Sequence, residues 1–230
     1  MITANRLGFW SAILTTVLAA AFFAVGIFGT SYTESIQSPY ILSTIRPIDY
    51  AVWYPAFLLA PTFVVLIACI HHQAPRDKKI FSQIGLSFAL IYAGLIASDY
   101  FIQLTVVLPS ILSKETEGLS LFSMYNPHGL FVALESLGYL MMNAALLSVA
   151  AVFAGRSRLE CAIRWLFVIG FVLAVGSFGA LSLAGYPIVV FEVVIIATNV
   201  TVLIVSGALL SLFFKRAERL ADGLGARVVF

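Results

Sequence analysis

The sequence predicts an all-α, polytopic membrane protein: a bundle of six transmembrane helices in one domain. Three observations carry this expectation. Of the 230 residues, 61% are apolar and only 10% are charged, with a mean hydropathy of +1.03, whereas soluble domains carry about 25% charge. The apolar residues fall in six runs, each long enough to cross about 30 Å of hydrocarbon. Lys and Arg gather in alternate gaps between those runs.

The expected spans are 7–29, 50–70, 80–111, 128–153, 162–184 and 187–214. Backbone inside hydrocarbon must satisfy its own hydrogen bonds, and a helix does so locally. The runs lack the polar–apolar alternation of barrel strands. The first span follows Arg6 and is longer than the core of about 7–15 residues in a secretory signal, so it is read as an uncleaved helix. Asp49 heads the second span as a helix N-cap. Tyr50, Trp53 and Tyr54 suit an aromatic belt at the membrane–water interface, and Pro55 and Pro61 are expected to bend the helix. The third span ends near Pro109, and the fourth opens at His128. In the fifth, Gly176, Gly179 and Ala180 are expected to pack closely on a neighbour. The first and fifth spans lack ionisable residues at their centres and are expected to form outer walls. Gly185-Tyr186-Pro187 reads as a tight turn, with Pro187 as the first residue of the last helix.

Orientation follows from the basic residues. Arg6, Arg76, Lys78, Lys79, Arg156, Arg158, Arg164, Lys215, Arg216, Arg219 and Arg227 occupy alternate segments, and only Arg46 and Lys114 lie in the others. By the positive-inside rule, both termini are expected in the cytoplasm of a cell-membrane protein. The tail, 215–230, is cytoplasmic, with a short helix from Lys215 to Leu220 lying on the membrane surface. Cys69 and Cys161 border inner loops, where a disulfide is not expected. His71 and His72 read as a solvated inner loop.

Polar residues within the spans are the leads to function, because a charged group at bilayer depth costs several kcal/mol and is turned inward. With about 1.5 Å of rise per residue, Asp99 lies about 14 Å, Glu135 about 10 Å and Glu192 about 8 Å below the outer ends of their helices. Asn143 and Asn199 lie roughly 18–22 Å down. Residues seven apart share a helix face. Tyr92 and Asp99 therefore form one line, with Gln103 a turn beyond. His128 and Glu135 form a second, continued by Tyr139 and Asn143. Glu192, Asn199 and Ser206 form a third. Three polar stripes in lipid are expected to face one another. Three carboxylates in one low-dielectric layer do not all stay ionised without partners, so protons or a bound cation are expected among them, with His128 titrating alongside.

The segment Tyr125-Asn126-Pro127-His128-Gly129, followed by Glu135 and Gly138-Tyr139, resembles a stretch found in small prokaryotic polytopic membrane proteins of unassigned function. The resemblance covers most of the third to sixth spans and implies a six-helix fold without an activity. The pattern His128, Glu135, Asn143 is loosely similar to the emopamil-binding sterol isomerase family, which places His, Glu and Asn around a lipid-derived cation. The order and spacing of that family's groups are not reproduced here, so the likeness is one of chemistry only.

The expected function is binding or transport of a cation or small amphipathic molecule, coupled to protons. The ligand- or proton-binding residues would be Asp99, Gln103, His128, Glu135, Tyr139, Asn143, Glu192 and Asn199. Two alternatives remain: a lipid or isoprenoid enzyme using carboxylate acid–base catalysis, and an accessory subunit whose polar groups bridge helices. No phosphate loop or His-Glu-x-x-His zinc motif is present, and no cofactor or metal is called for. The basic clusters are explained by topology, so the lipid bilayer and not nucleic acid is the expected partner. The sequence leaves the oligomeric state open.

Overall fold

The structure, a computed structural model, describes residues 3–28, 51–115, 117–124, 126–155, 157–185 and 191–227. Among these, the chain is helical with no strand, and six helices are long and apolar enough to cross a membrane. They are α1 (Ala4–Phe28), α2 (Trp53–Gln73), α3 (Lys79–Ile102), α4 (Leu130–Ala150), α5 (Arg158–Leu183) and α6 (Ala197–Arg227). Asp49, Tyr50, Arg46, Arg156, the Tyr186-Pro187 turn and the side chain of Glu192 lie outside the described part.

Each helix packs on its neighbours in sequence, and α6 returns to α1, so the six close into a ring. The short connections from Gln73 to Lys79 and from Ala150 to Arg158 make α2 and α3, and α4 and α5, natural antiparallel neighbours. Helix α4 is the most buried and α5 the least, at 56% and 22% of their apolar windows. Large apolar side chains such as Trp10, Leu58, Val172 and Leu183 point outward. A water-soluble protein would not present such a face on every helix; hydrocarbon accepts it.

Glycines set the closest approaches. A Cβ at Gly207 of α6 would stand 2.6 Å from the Ala12 carbonyl oxygen of α1. A Cβ at Gly138 of α4 would meet Ile96 Cδ1 of α3 at 2.6 Å, and one at Gly85 of α3 would meet Val149 Cγ1 of α4 at 2.6 Å. These are the small-residue contacts by which helices associate in lipid. The expectation for α5 is corrected: among the described residues, nothing lies within 4 Å of a Cβ at Gly176 or Gly179, and Ala180 is exposed. The face of α5 that packs carries Ile163, Phe167, Gly170, Ala174 and Leu181.

Several boundaries have local causes. Helix α5 begins at Arg158 because Ser157 and Glu160 form a capping box: the Glu160 N–H donates to Ser157 Oγ at 3.2 Å, and the Ser157 N–H donates to Glu160 Oε2 at 3.3 Å. It ends at Leu183, and Gly185, two residues on, has a φ of 75° that suits glycine. Helix α3 widens into a π-helical stretch, Gln103–Val107, and continues as Leu108–Leu112. Pro109, in that last piece, has no N–H for the carbonyl four residues back, and a π turn is one way a helix absorbs such a break. Pro61 lies inside α2 on an exposed face. Helix α6 runs unbroken to Arg227, so Lys215–Leu220 prolongs the span and is not a separate surface helix. No Gly or Pro stands between Gly207 and Gly223 to end it. Cys69 is buried and Cys161 exposed, and both thiols are free.

Candidate functional site

Two polar levels lie inside the ring, and α4 contributes to both. At the first level, α3 supplies Asp99 and α4 supplies Glu135, each 2% exposed and within electrostatic reach of each other. The Tyr100 hydroxyl donates to Glu135 Oε1 at 2.7 Å. The Tyr139 hydroxyl, one turn further along α4, reaches the same oxygen at 3.4 Å. Asp99 Oδ2 is buried and has no hydrogen-bond partner among the described residues.

Aromatic rings close this level on both sides. Trp53 stacks on Tyr100, with centroids 5.2 Å apart at 24°, and meets Phe131 edge-on at 5.2 Å. Phe131 precedes Glu135 by one turn, so this layer lies on the side of α4's start. On the opposite side Tyr92 stands edge-on to Phe63 at 5.1 Å, and Ile96 fills the space left by Gly138. Trp53 is thus an interior residue and not part of an interfacial belt; Tyr54, at 59% exposure, faces outward. The Trp53 indole N–H is buried and unpaired among the described residues.

At the deeper level α4 meets α6. Asn143 Nδ2 donates to Asn199 Oδ1 at 2.6 Å and to the Tyr139 carbonyl at 2.9 Å. Asn199 Nδ2 donates to the Ile195 carbonyl at 2.8 Å. Asn143 Oδ1 faces Gly170 of α5, where a Cβ would come to 3.2 Å. The pair bridges α4 and α6, and Asn143 Oδ1 is buried with no hydrogen-bond partner among the described residues.

The eight residues singled out from sequence therefore divide. Asp99, Glu135 and Tyr139 come together. Asn143 and Asn199 form the deeper pair, joined to the first group through Tyr139. Gln103 is buried but serves the loop that precedes α4, donating from Nε2 to the Phe122 carbonyl at 2.8 Å. His128 is exposed, apart from the carboxylates, because it occupies a turn and not the first turn of α4. In that turn its N–H donates to Asn126 Oδ1 at 3.0 Å, while Asn126 Nδ2 donates to the Ser120 carbonyl at 2.9 Å. Gly129 follows in a space where a Cβ would stand 2.8 Å from the Leu121 carbonyl oxygen. The Asn126-Pro127-His128-Gly129 motif thus builds a loop. Glu192 lies in the π-helical segment Phe191–Ile196 that leads into α6, with its side chain outside the described part.

Three contributors escaped the sequence reading: Tyr100, Trp53 and Ser136. Tyr100 and Ser136 directly follow Asp99 and Glu135, a rotation of about 100° off each stripe. Ser136 did carry a signal, since it stands seven residues before Asn143. It lines a cavity of about 10 Å³ with Tyr139, Asn199 and Ala174. Among the described residues no three His, Cys, Asp or Glu side chains gather to hold a metal ion. The junction of α2 and α3 holds a separate polar contact, His71 Nδ1 with Ser82 Oγ at 2.8 Å, beside Lys79 Nζ, which donates to the His71 carbonyl at 2.6 Å. These histidines close the end of α2 and are not a loose loop. Comparison with known protein families, with curated proteins and with solved structures finds no match.

Proposed function

We propose that this chain is a multi-pass cell-membrane protein, with both termini in the cytoplasm, that binds an exchangeable proton or small monovalent cation at Asp99 and Glu135 and moves it across the bundle. The reading is carried by one observation: Asp99, 2% exposed, keeps a carboxylate oxygen with no partner among the described residues, beside a second buried carboxylate. Two neighbouring carboxylates in low dielectric repel, and a shared proton or cation relieves that repulsion. The basic residues at alternate helix ends support the orientation. The neighbouring cavity, bordered by Tyr139 but by neither Asp99 nor Glu135, is small. About 10 Å³ suits one water-sized occupant, whereas organic ligands take roughly 300–1,000 Å³.

A hydrophobic carbodiimide, which adds to protonated carboxyl groups from within the membrane, tests this. Asp99 or Glu135 should be labelled in protein reconstituted in liposomes, with sodium, lithium or alkaline pH reducing the labelling. No labelling at either residue at any pH or ion concentration rejects the proposal. A second reading, a structural subunit, draws on the Tyr100–Glu135 bond. It predicts that Glu135→Gln, which keeps an acceptor for Tyr100, leaves every property unchanged.

A further inference from the structure

Many hydroxyls on these helices bond to their own backbone, although Ser206 Oγ on α6, like that of Ser136, has no partner among the described residues. Thr62, Ser87, Thr105, Ser148 and Ser182 each donate to the carbonyl four residues back, at 2.7–3.1 Å. Ser136 departs from this habit. Its side chain is 4% exposed, and its Oγ has no partner among the described residues. It opens on the cavity shared with Tyr139, Asn199, Ala174 and Ile195. That volume admits one water, which needs two to four polar partners. Asn199 has capacity to spare: an amide oxygen accepts twice and an amide nitrogen donates twice, and the bonds from Asn143 and to Ile195 use one of each. Tyr139, on the same wall, carries the hydroxyl that reaches Glu135.

We propose that Ser136, Asn199 and Tyr139 hold one structural water, and that this water is the inner exchange partner of the Glu135 carboxyl. The second part rests on the proton-binding reading of the carboxylates; the first does not. In the exchange step the phenol proton of Tyr139 passes to Glu135 Oε1. A proton carried by the water, as hydronium, takes its place on Tyr139 Oη. The phenol is regenerated, the carboxylate becomes a carboxylic acid, and neutral water remains. The hydroxyl of Ser136 orients the water and holds it when Asn199 is engaged with Asn143.

The test is proton-detected solid-state nuclear magnetic resonance on ¹⁵N-labelled protein in liposomes, read at the water-to-amide transfer peak of the Asn199 side chain. The peak should be present in the native protein, lost in Ala174→Val, whose added methyl groups occupy the cavity, and weakened in Ser136→Ala. No peak in the native protein, or an unchanged peak in Ala174→Val, overturns the water site. Ser136→Ala adds no bulk and keeps the test readable if Ala174→Val fails to fold: an unchanged peak there also counts against the site. Proton uptake after a pH jump then tests the exchange role. It should slow in Ala174→Val, with carbodiimide labelling of Asp99 or Glu135 retained as in the native protein; unchanged uptake overturns that role. Loss of labelling in the native protein would remove the carboxylate reading, and with it the exchange role, while leaving the water peak as evidence for the site.

Discussion

Three glycine-to-alanine changes separate the packed faces of the ring from the lipid-facing ones. At Gly207 the new Cβ would stand 2.6 Å from the Ala12 carbonyl oxygen and 3.0 Å from the Thr16 nitrogen. Both are backbone atoms of α1, so relief requires moving a whole helix. At Gly138 the obstruction is Ile96, at 2.6 Å from Cδ1 and 2.7 Å from Cγ1, a side chain that can rotate at some cost to its own packing. At Gly176 nothing lies within 4 Å. Overpacking costs roughly 1–3 kcal/mol, against which alanine recovers about 0.8–1 kcal/mol of helix propensity. Gly207→Ala should therefore lose about 2 kcal/mol, Gly138→Ala about 1 kcal/mol, and Gly176→Ala should be neutral or gain up to about 1 kcal/mol. Reversible unfolding in mixed detergent micelles, followed by circular dichroism, measures all three. A neutral Gly207→Ala, or a Gly176→Ala that destabilises more than Gly207→Ala, would refute the ring packing and place α5's glycines at a helix contact.

The remaining predictions concern the site, a cap and the topology. Tyr100→Phe removes one buried hydrogen bond and should cost about 0.6–1.7 kcal/mol, the range found for such bonds in membranes. Glu135→Ala also deletes buried volume and should cost about 2–4 kcal/mol in the same unfolding assay; equal losses would mean that the hydrogen bond, and not the packing of Glu135, dominates. Ser157→Ala breaks the capping box of α5 and should cost about 1 kcal/mol, with Ser157→Asp restoring most of it. A membrane-impermeant maleimide should label the exposed Cys161 only in inverted or permeabilised vesicles and spare the buried Cys69. Labelling of Cys161 from outside intact cells would reverse the proposed orientation.

The six helices were legible because their length and apolarity are set by the thickness of hydrocarbon, which acts on the chain segment by segment. Their ends were less so. The reading of apolar runs began α5 at residue 162, yet Ser157-Arg158-Leu159-Glu160 is a polar capping box that starts the helix earlier. Counting along the helix, by sevens and by the following turns, correctly grouped Glu135 with Tyr139 and Asn143, since it follows helix geometry alone. It misplaced His128, because a turn at Asn126–Gly129 interrupts the helix on which that spacing relied. Trp53 carries no local sign of its inward position; its stacking on Tyr100 is decided by tertiary packing. The glycine face of α5 was misjudged for a related reason. Lipid is as apolar as leucine, so hydrophobicity does not distinguish a helix face that meets protein from one that meets lipid.

Infrared difference spectroscopy on the reconstituted protein tests the carboxylate pair most directly, because the carbonyl stretch of a protonated carboxyl is separate from that of a carboxylate. The account predicts a carboxylic-acid band in the native protein that changes with pH or added cation and is lost in Asp99→Asn or Glu135→Gln. A spectrum that shows no exchangeable carboxylic-acid band, or the same band in the double variant, would contradict it.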